Sequence, residues 1–141
     1  MSPERIRIVR RSFQSVAAAR DAAAAAFFDH LFGIDPALRL FFPGDLRRRG
    51  AKLVNAVGLV VEELHRPHVF VPALEALALR LAASGLEPSA YDAFGEALRR
   101  TARSLLGPGF SFEVESALDE AYSGIRDVMV GAAFQELRLA A

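Results

Sequence analysis

Apolar residues return every three to four positions along almost the whole chain, and proline and glycine cut that rhythm into short pieces. Ile6, Val9, Phe13 and Val16 stand at offsets 0, 3, 7 and 10, one stripe of a helix. Ser2-Pro3 ahead of them offers a capping hydroxyl and a proline suited to a first helical turn. A second helix is expected over about Arg20–Phe32, with Phe27, Phe28, Leu31 and Phe32 crowding its end and Gly33 stopping it. Asp35-Pro36 opens a short helical turn carrying Leu38, Phe41 and Phe42, and Pro43-Gly44-Asp45 breaks the chain again. Asp45 caps a long helix bearing Leu53, Val57, Val60, Val61 and Leu64, after which His65 to Val71 reads as a connection. Pro72 begins a helix with Leu74, Leu77 and Leu81 that Gly85 ends. Pro88 starts another with Tyr91, Phe94, Leu98 and Leu105, closed by Gly107-Pro108-Gly109. Ser111 caps the last, which carries Val114, Leu118, Tyr122, Ile125 and Met129. Strand signals are scarce, so the pattern predicts an all-α chain of six or seven helices packed as neighbours on one core.

The remaining composition narrows the function. A chain of 141 residues suits a single domain over 1–141. Seventeen basic and 17 acidic residues leave no net charge, which removes the main warrant for a nucleic-acid partner. With no cysteine there is no disulfide framework, thiolate nucleophile or Cys-ligated metal. The N-terminus is charged and carries no signal-peptide block, and the longest apolar run, Ala22 to Phe28, falls far short of the roughly 20 residues a membrane span needs. A soluble, cytoplasmic protein without a membrane partner is expected. No Ser/His/Asp order, phosphate-cradling glycine loop or metal-spaced histidine pair is present, and on that ground no enzyme is expected.

Most single residues that invite chemistry have a plainer role. His30, His65 and His68 are the only histidines, and solvated or capping positions suit them. Met129 has core spacing with Ile125. Arg47, Arg48 and Arg49 diverge by about 100° each around a helix, so they are no single patch. Arg99, Arg100 and Arg103 read as an exposed face paired with Glu96 and its like. Glu62-Glu63 and Glu113/Glu115 point apart on their helices, which leaves no carboxylate pair for acid–base work.

Four segments, in order and at their intervals, resemble bacterial single-domain globins of the flavohaemoglobin-like or neuroglobin-like kind. They are Phe27-Phe28-Asp29-His30-Leu31-Phe32 with Asp35-Pro36, Phe41-Phe42 with Pro43-Gly44-Asp45, Lys52-Leu53-Val54, and Leu81-Ala82-Ala83-Ser84-Gly85-Leu86 leading to Tyr91. The resemblance runs from about Ile6 to Phe134 and implies a globin fold around a haem-type pocket. It assigns Phe42, six residues after Pro36, the role of stacking on haem.

The same resemblance marks departures. The family's iron-holding histidine lies five residues before the Leu/Val that follows glycine and ten before a tyrosine; from Leu86 and from Tyr91, both counts end on Leu81. Leucine has no lone pair to give iron. Tyr91, which in the family braces the ligand, is kept, but the matching last-helix glutamate falls on Ala133 and an early last-helix tryptophan on Leu118. On the other wall Arg49 stands where a His or Gln usually meets bound oxygen, Lys52 shares its helix face, and Phe28 replaces a frequent tyrosine. Such a pocket, walled by Phe28, Phe42, Leu53, Val57, Leu77, Leu81 and Phe94, suits an apolar or amphipathic anion with its carboxylates at the two cations. Three functions follow from the resemblance: a non-haem ligand-binding or sensor globin, a haem globin whose iron has an unusual protein ligand or none, and a carrier of a lipid or bilin anion. Family precedent also implies a homodimer through the last two helices.

Overall fold

A computed structural model describes the backbone of residues 1–140 and the side chains through Ala133; the side chain of Phe134, the far end of the resemblance, and the whole of Ala141 lie outside this description. Six α-helices and two 3₁₀ segments make up the described residues: α1 (Pro3–Ala18), α2 (Arg20–Ile34), a 3₁₀ turn (Pro36–Phe41), α3 (Leu46–Glu62), α4 (Pro67–Ala83), α5 (Ala90–Leu106), a 3₁₀ turn (Gly107–Gly109) and α6 (Phe112–Ala140). The caps are local chemistry. The Ser2 hydroxyl accepts from Arg5 N–H at 3.2 Å, the Asp45 carboxylate from Arg47 N–H at 3.0 Å, and the Ser111 hydroxyl from Val114 N–H at 3.2 Å. No helix among the described residues is long and apolar enough to cross a membrane.

Two helix boundaries differ from the sequence expectation. Gly33 does not stop α2, which runs one residue past it to Ile34. Helix α4 starts at Pro67 rather than Pro72, so His68 to Val71 are helical and not a connection. Pro67 supplies a preset φ at the helix start, where its missing N–H costs nothing. Pro72 then sits inside the helix and forgoes one backbone bond, a loss that the packing of α4 on α6 outweighs.

Helix α2 packs on α3 and α5, α4 lies on α6, and α1 crosses α3, α5 and α6. The α2–α3 crossing depends on Gly50, which is buried: a Cβ there would overlap the Cβ of Ala24. The core has two parts. The larger gathers Phe27, Phe28, Leu31, Leu38, Leu74 and Tyr91, with Leu31 fully buried. The smaller holds Val9, Val61, Ala117 and Ala121 at the far side of α3.

Candidate functional site

The larger core cluster carries the site, and its entrance is shaped by the short turn before α3. The Asp35 carboxylate accepts from Ala37 N–H at 3.1 Å and starts the turn that ends at Phe42. Arg39 and Arg49 then pin the loop beyond it: Arg39 donates to the carbonyls of Phe42 and Gly44, and Arg49 Nε donates to the carbonyl of Pro43. Arg39 also lies over the Phe32 ring, 5.9 Å from its centroid. Gly44, with φ +85°, turns the chain where a side chain would be strained.

Held in this way, Phe42 meets three other rings. Its centroid is 5.2 Å from Phe28, 6.1 Å from Phe32 and 6.4 Å from Phe94, the Phe28 and Phe94 contacts edge-on. Phe28 stacks on Phe32 at 5.6 Å, and Phe94 meets Tyr91 at 5.6 Å and 88°. Leu53 of α3 and Leu77 and Leu81 of α4 pack against the same cluster. Helices α3 and α4 barely meet each other, so their leucines are joined through the aromatic rings.

Helix α4 ends in a Schellman motif that locks Leu81 in its last turn. Leu86 N–H donates to Leu81 C=O at 3.0 Å and Gly85 N–H to Ala82 C=O at 3.0 Å, with Gly85 at φ +95°. The α4 residues that pack into the cluster are Phe70, Leu74, Leu77, Ala78 and Leu81. None carries an atom able to bind iron.

Tyr91 is the polar exception within this apolar cluster. It is 3% exposed, and its hydroxyl has no hydrogen-bond partner among the described residues, while its backbone carbonyl accepts from the Tyr122 hydroxyl at 2.5 Å. Burial raises the Tyr91 hydroxyl above its ordinary pKa, and burial raises Tyr122 further still. Both are neutral phenols at physiological pH, and only that of Tyr122 is satisfied.

The structure thus brings together Phe28, Phe42, Leu53, Leu77, Leu81, Tyr91 and Phe94, and leaves Arg49 and Lys52 outside the cluster on exposed turns of α3. Arg49, expected at the pocket mouth, has its guanidinium turned onto the Pro43 carbonyl. Sequence reasoning missed Arg39, whose signal was a position three residues after Pro36, in the same turn as Phe42. His65 and His68 are exposed; Arg10 shares a hydrogen bond with His65 Nδ1 at 2.8 Å. His30 is half-buried on α2, and Met129 is buried in the core.

These side chains accept one part of a haem and not the other. Flat apolar walls, a ring at Phe42 and nearby cations match a porphyrin's body and propionates. The donor set does not match an iron held from α4, and the Tyr91 phenol is buried without a partner among the described residues.

Comparison with known proteins accounts for this frame. Residues 25–129 match the Globin family model. The chain is 26% identical over 134 residues to a flavohemoprotein of Rhodopirellula baltica, covering 93% of this chain and 33% of that protein. A flavohemoprotein of Bordetella bronchiseptica is 25% identical with the same coverage. The chain therefore spans about a third of the length of these relatives. An engineered carbene transferase from Rhodothermus marinus, described as a nitric oxide dioxygenase, shares the fold with TM-score 0.81 and 22% identity over 99% of this chain and 96% of that one.

The expectation of no enzyme is corrected by these findings, because the relatives are enzymes and this chain corresponds to their globin part. The expectation rested on missing hydrolase and transferase motifs. Redox chemistry carried by a cofactor needs no such motif in the chain. With a matching family model across residues 25–129 and a helical frame shared over nearly its full length, the chain belongs to the globin family.

Proposed function

We propose that this chain is an atypical ligand-binding globin, related to flavohemoproteins, whose pocket receives an apolar or amphipathic anion without an iron ligand from α4. The observation that carries this reading is the inward face of α4: five apolar side chains ending in Leu81, opposite a buried phenol with no partner. A buried donor left unpaired costs about 1–3 kcal/mol, so a ligand offering an acceptor to Tyr91 Oη gains that much in compensation. Lys52 and, when released from Pro43, Arg49 supply positive charge for a carboxylate at the rim.

A second reading keeps haem in the pocket without a protein donor from α4, and Phe42 with the neighbouring cations supports it. Titration with the fluorescent fatty-acid anion cis-parinarate tests the first. Saturable binding is expected, weakened several-fold by Lys52→Glu and by Tyr91→Phe. Binding unaffected by both substitutions contradicts it.

A further inference from the structure

Behind Leu53, on the side of α3 away from α4, lies a cavity of about 390 Å³ that borders the Phe27 and Leu53-Val54 segments but belongs to neither expected pocket wall beneath α4. It runs between α1, α2, α3, α5 and α6, and no α4 residue lines it. Its volume exceeds the ~150 Å³ of an engineered apolar cavity that takes benzene, and falls within the ~300–1,000 Å³ of small-molecule pockets. Small residues line the space: Ser12, Ala23, Thr101, Ala102 and Ala121 stand along it, while Gly95 makes room for the Tyr122 ring. Val57, Leu98, Leu106 and Leu118 give it aliphatic walls.

The charged groups at this cavity are already engaged. Arg99 is paired with Asp119 at 3.1 Å and with Glu96 at 3.2 Å, and Glu115 with Arg103 at 3.5 Å. Thr101 Oγ1 donates to the Ala97 carbonyl at 2.7 Å, and the Tyr122 hydroxyl to that of Tyr91. Among the charged residues lining it, one cation, Arg99, faces two carboxylates, Glu115 and Asp119. These three are half-exposed and mark the mouth. Arg103 offsets Glu115 and Arg100 shares Glu96, so these charges balance, and among the described residues no lining cation is left over for an anionic headgroup.

We propose that this cavity is a second binding site, specific for a neutral aliphatic molecule such as a medium-chain alcohol. It is separate from the pocket beneath α4 and opposite to it in headgroup preference. The chain enters between the aliphatic walls, and the uncharged head stays among the ion pairs at the mouth.

The test is titration of the protein with 1-decanol and, in parallel, with decanoate, followed by isotope-filtered NMR. Saturable 1-decanol binding is expected, with cross-peaks to the methyl groups of Val57, Leu106 and Leu118. Decanoate should give those cross-peaks at least ten-fold more weakly. Ala102→Phe and Ala121→Leu, which fill the space, should each lower 1-decanol affinity at least ten-fold, while Leu81→His leaves it unchanged. The wild-type cross-peaks keep the test decisive if a filled variant does not fold. Absence of saturable binding, equal signals from decanoate, or cross-peaks confined to Leu77 and Leu81 would each overturn the proposal.

Discussion

Around Phe42 four phenylalanine rings fill the interior with centroids 5.2–6.4 Å apart, whereas on the other side of α3 the walls include alanines, a glycine and a serine and about 390 Å³ stays open. Leu53 touches both regions. The aromatic side leaves a buried donor without a partner, Tyr91 Oη, with cations near its entrance. The open side has its charged groups paired at the mouth, Arg99 with Asp119 and Arg103 with Glu115. One globin frame therefore holds two apolar regions, one lined by large aromatic rings and one by smaller side chains. Side-chain size and the pairing of a few charges make the difference, because the same helices enclose both.

Truncation should expose that contrast most strongly. Leu31 is fully buried in the packed cluster, so Leu31→Ala should cost about 3–5 kcal/mol in urea unfolding. Leu118→Ala, at a half-exposed wall that already borders empty space, should cost only about 1 kcal/mol. Equal costs would mean that the two interiors are packed alike. Enlargement should act in the reverse sense. Ala78→Leu in the packed region should destabilise by about 1–3 kcal/mol, while Ala121→Leu facing the cavity should stay within about 0.5 kcal/mol of wild type or gain stability.

The two tyrosines sharpen the comparison at smaller scale. Tyr122→Phe removes a satisfied hydrogen bond and should cost about 1 kcal/mol. Tyr91→Phe removes an unsatisfied hydroxyl and should be neutral or stabilising by about 1 kcal/mol, read from the same melts. A loss of stability in Tyr91→Phe would show that its hydroxyl has a partner.

The smallest effect is in the pH dependence. Burial raises both folded-state phenol pKa values above the ordinary 10.0, so above pH 10 the unfolded chain loses protons that the folded one keeps. This contribution to stability should be fully present below pH 10 and decline as pH rises above it. Tyr122→Phe should flatten the decline measured by thermal melts, and an unchanged slope would exclude Tyr122 as a cause.

The aromatic region was legible in the sequence because large residues recur in a fixed order: Phe27-Phe28 to Phe32, then Pro36 to Phe42, then Leu81 to Tyr91. Periodicity also located every α-helix, missing chiefly the start of α4, where two prolines competed and the earlier one at Pro67 won. Other features depend on tertiary approach and left no local signal. The turn of Arg49 onto Pro43 arises from loop geometry. The unpartnered Tyr91 hydroxyl reflects what surrounds it in space. The cavity is the extreme case, since it lies among the small side chains of Ser12, Ala23 and Ala102 on three different helices, each an ordinary helix residue in its own segment.

The claim that Leu81 occupies the position from which a globin grips iron is tested most directly by titrating hemin into the wild-type protein and into Leu81→His, following the Soret band and its shift on reduction under carbon monoxide. The variant should acquire a saturable one-to-one spectrum of histidine-bound haem that the wild type lacks, with helix content unchanged by circular dichroism. A wild-type protein that already shows that spectrum, unaltered by Leu81→His, would contradict the account.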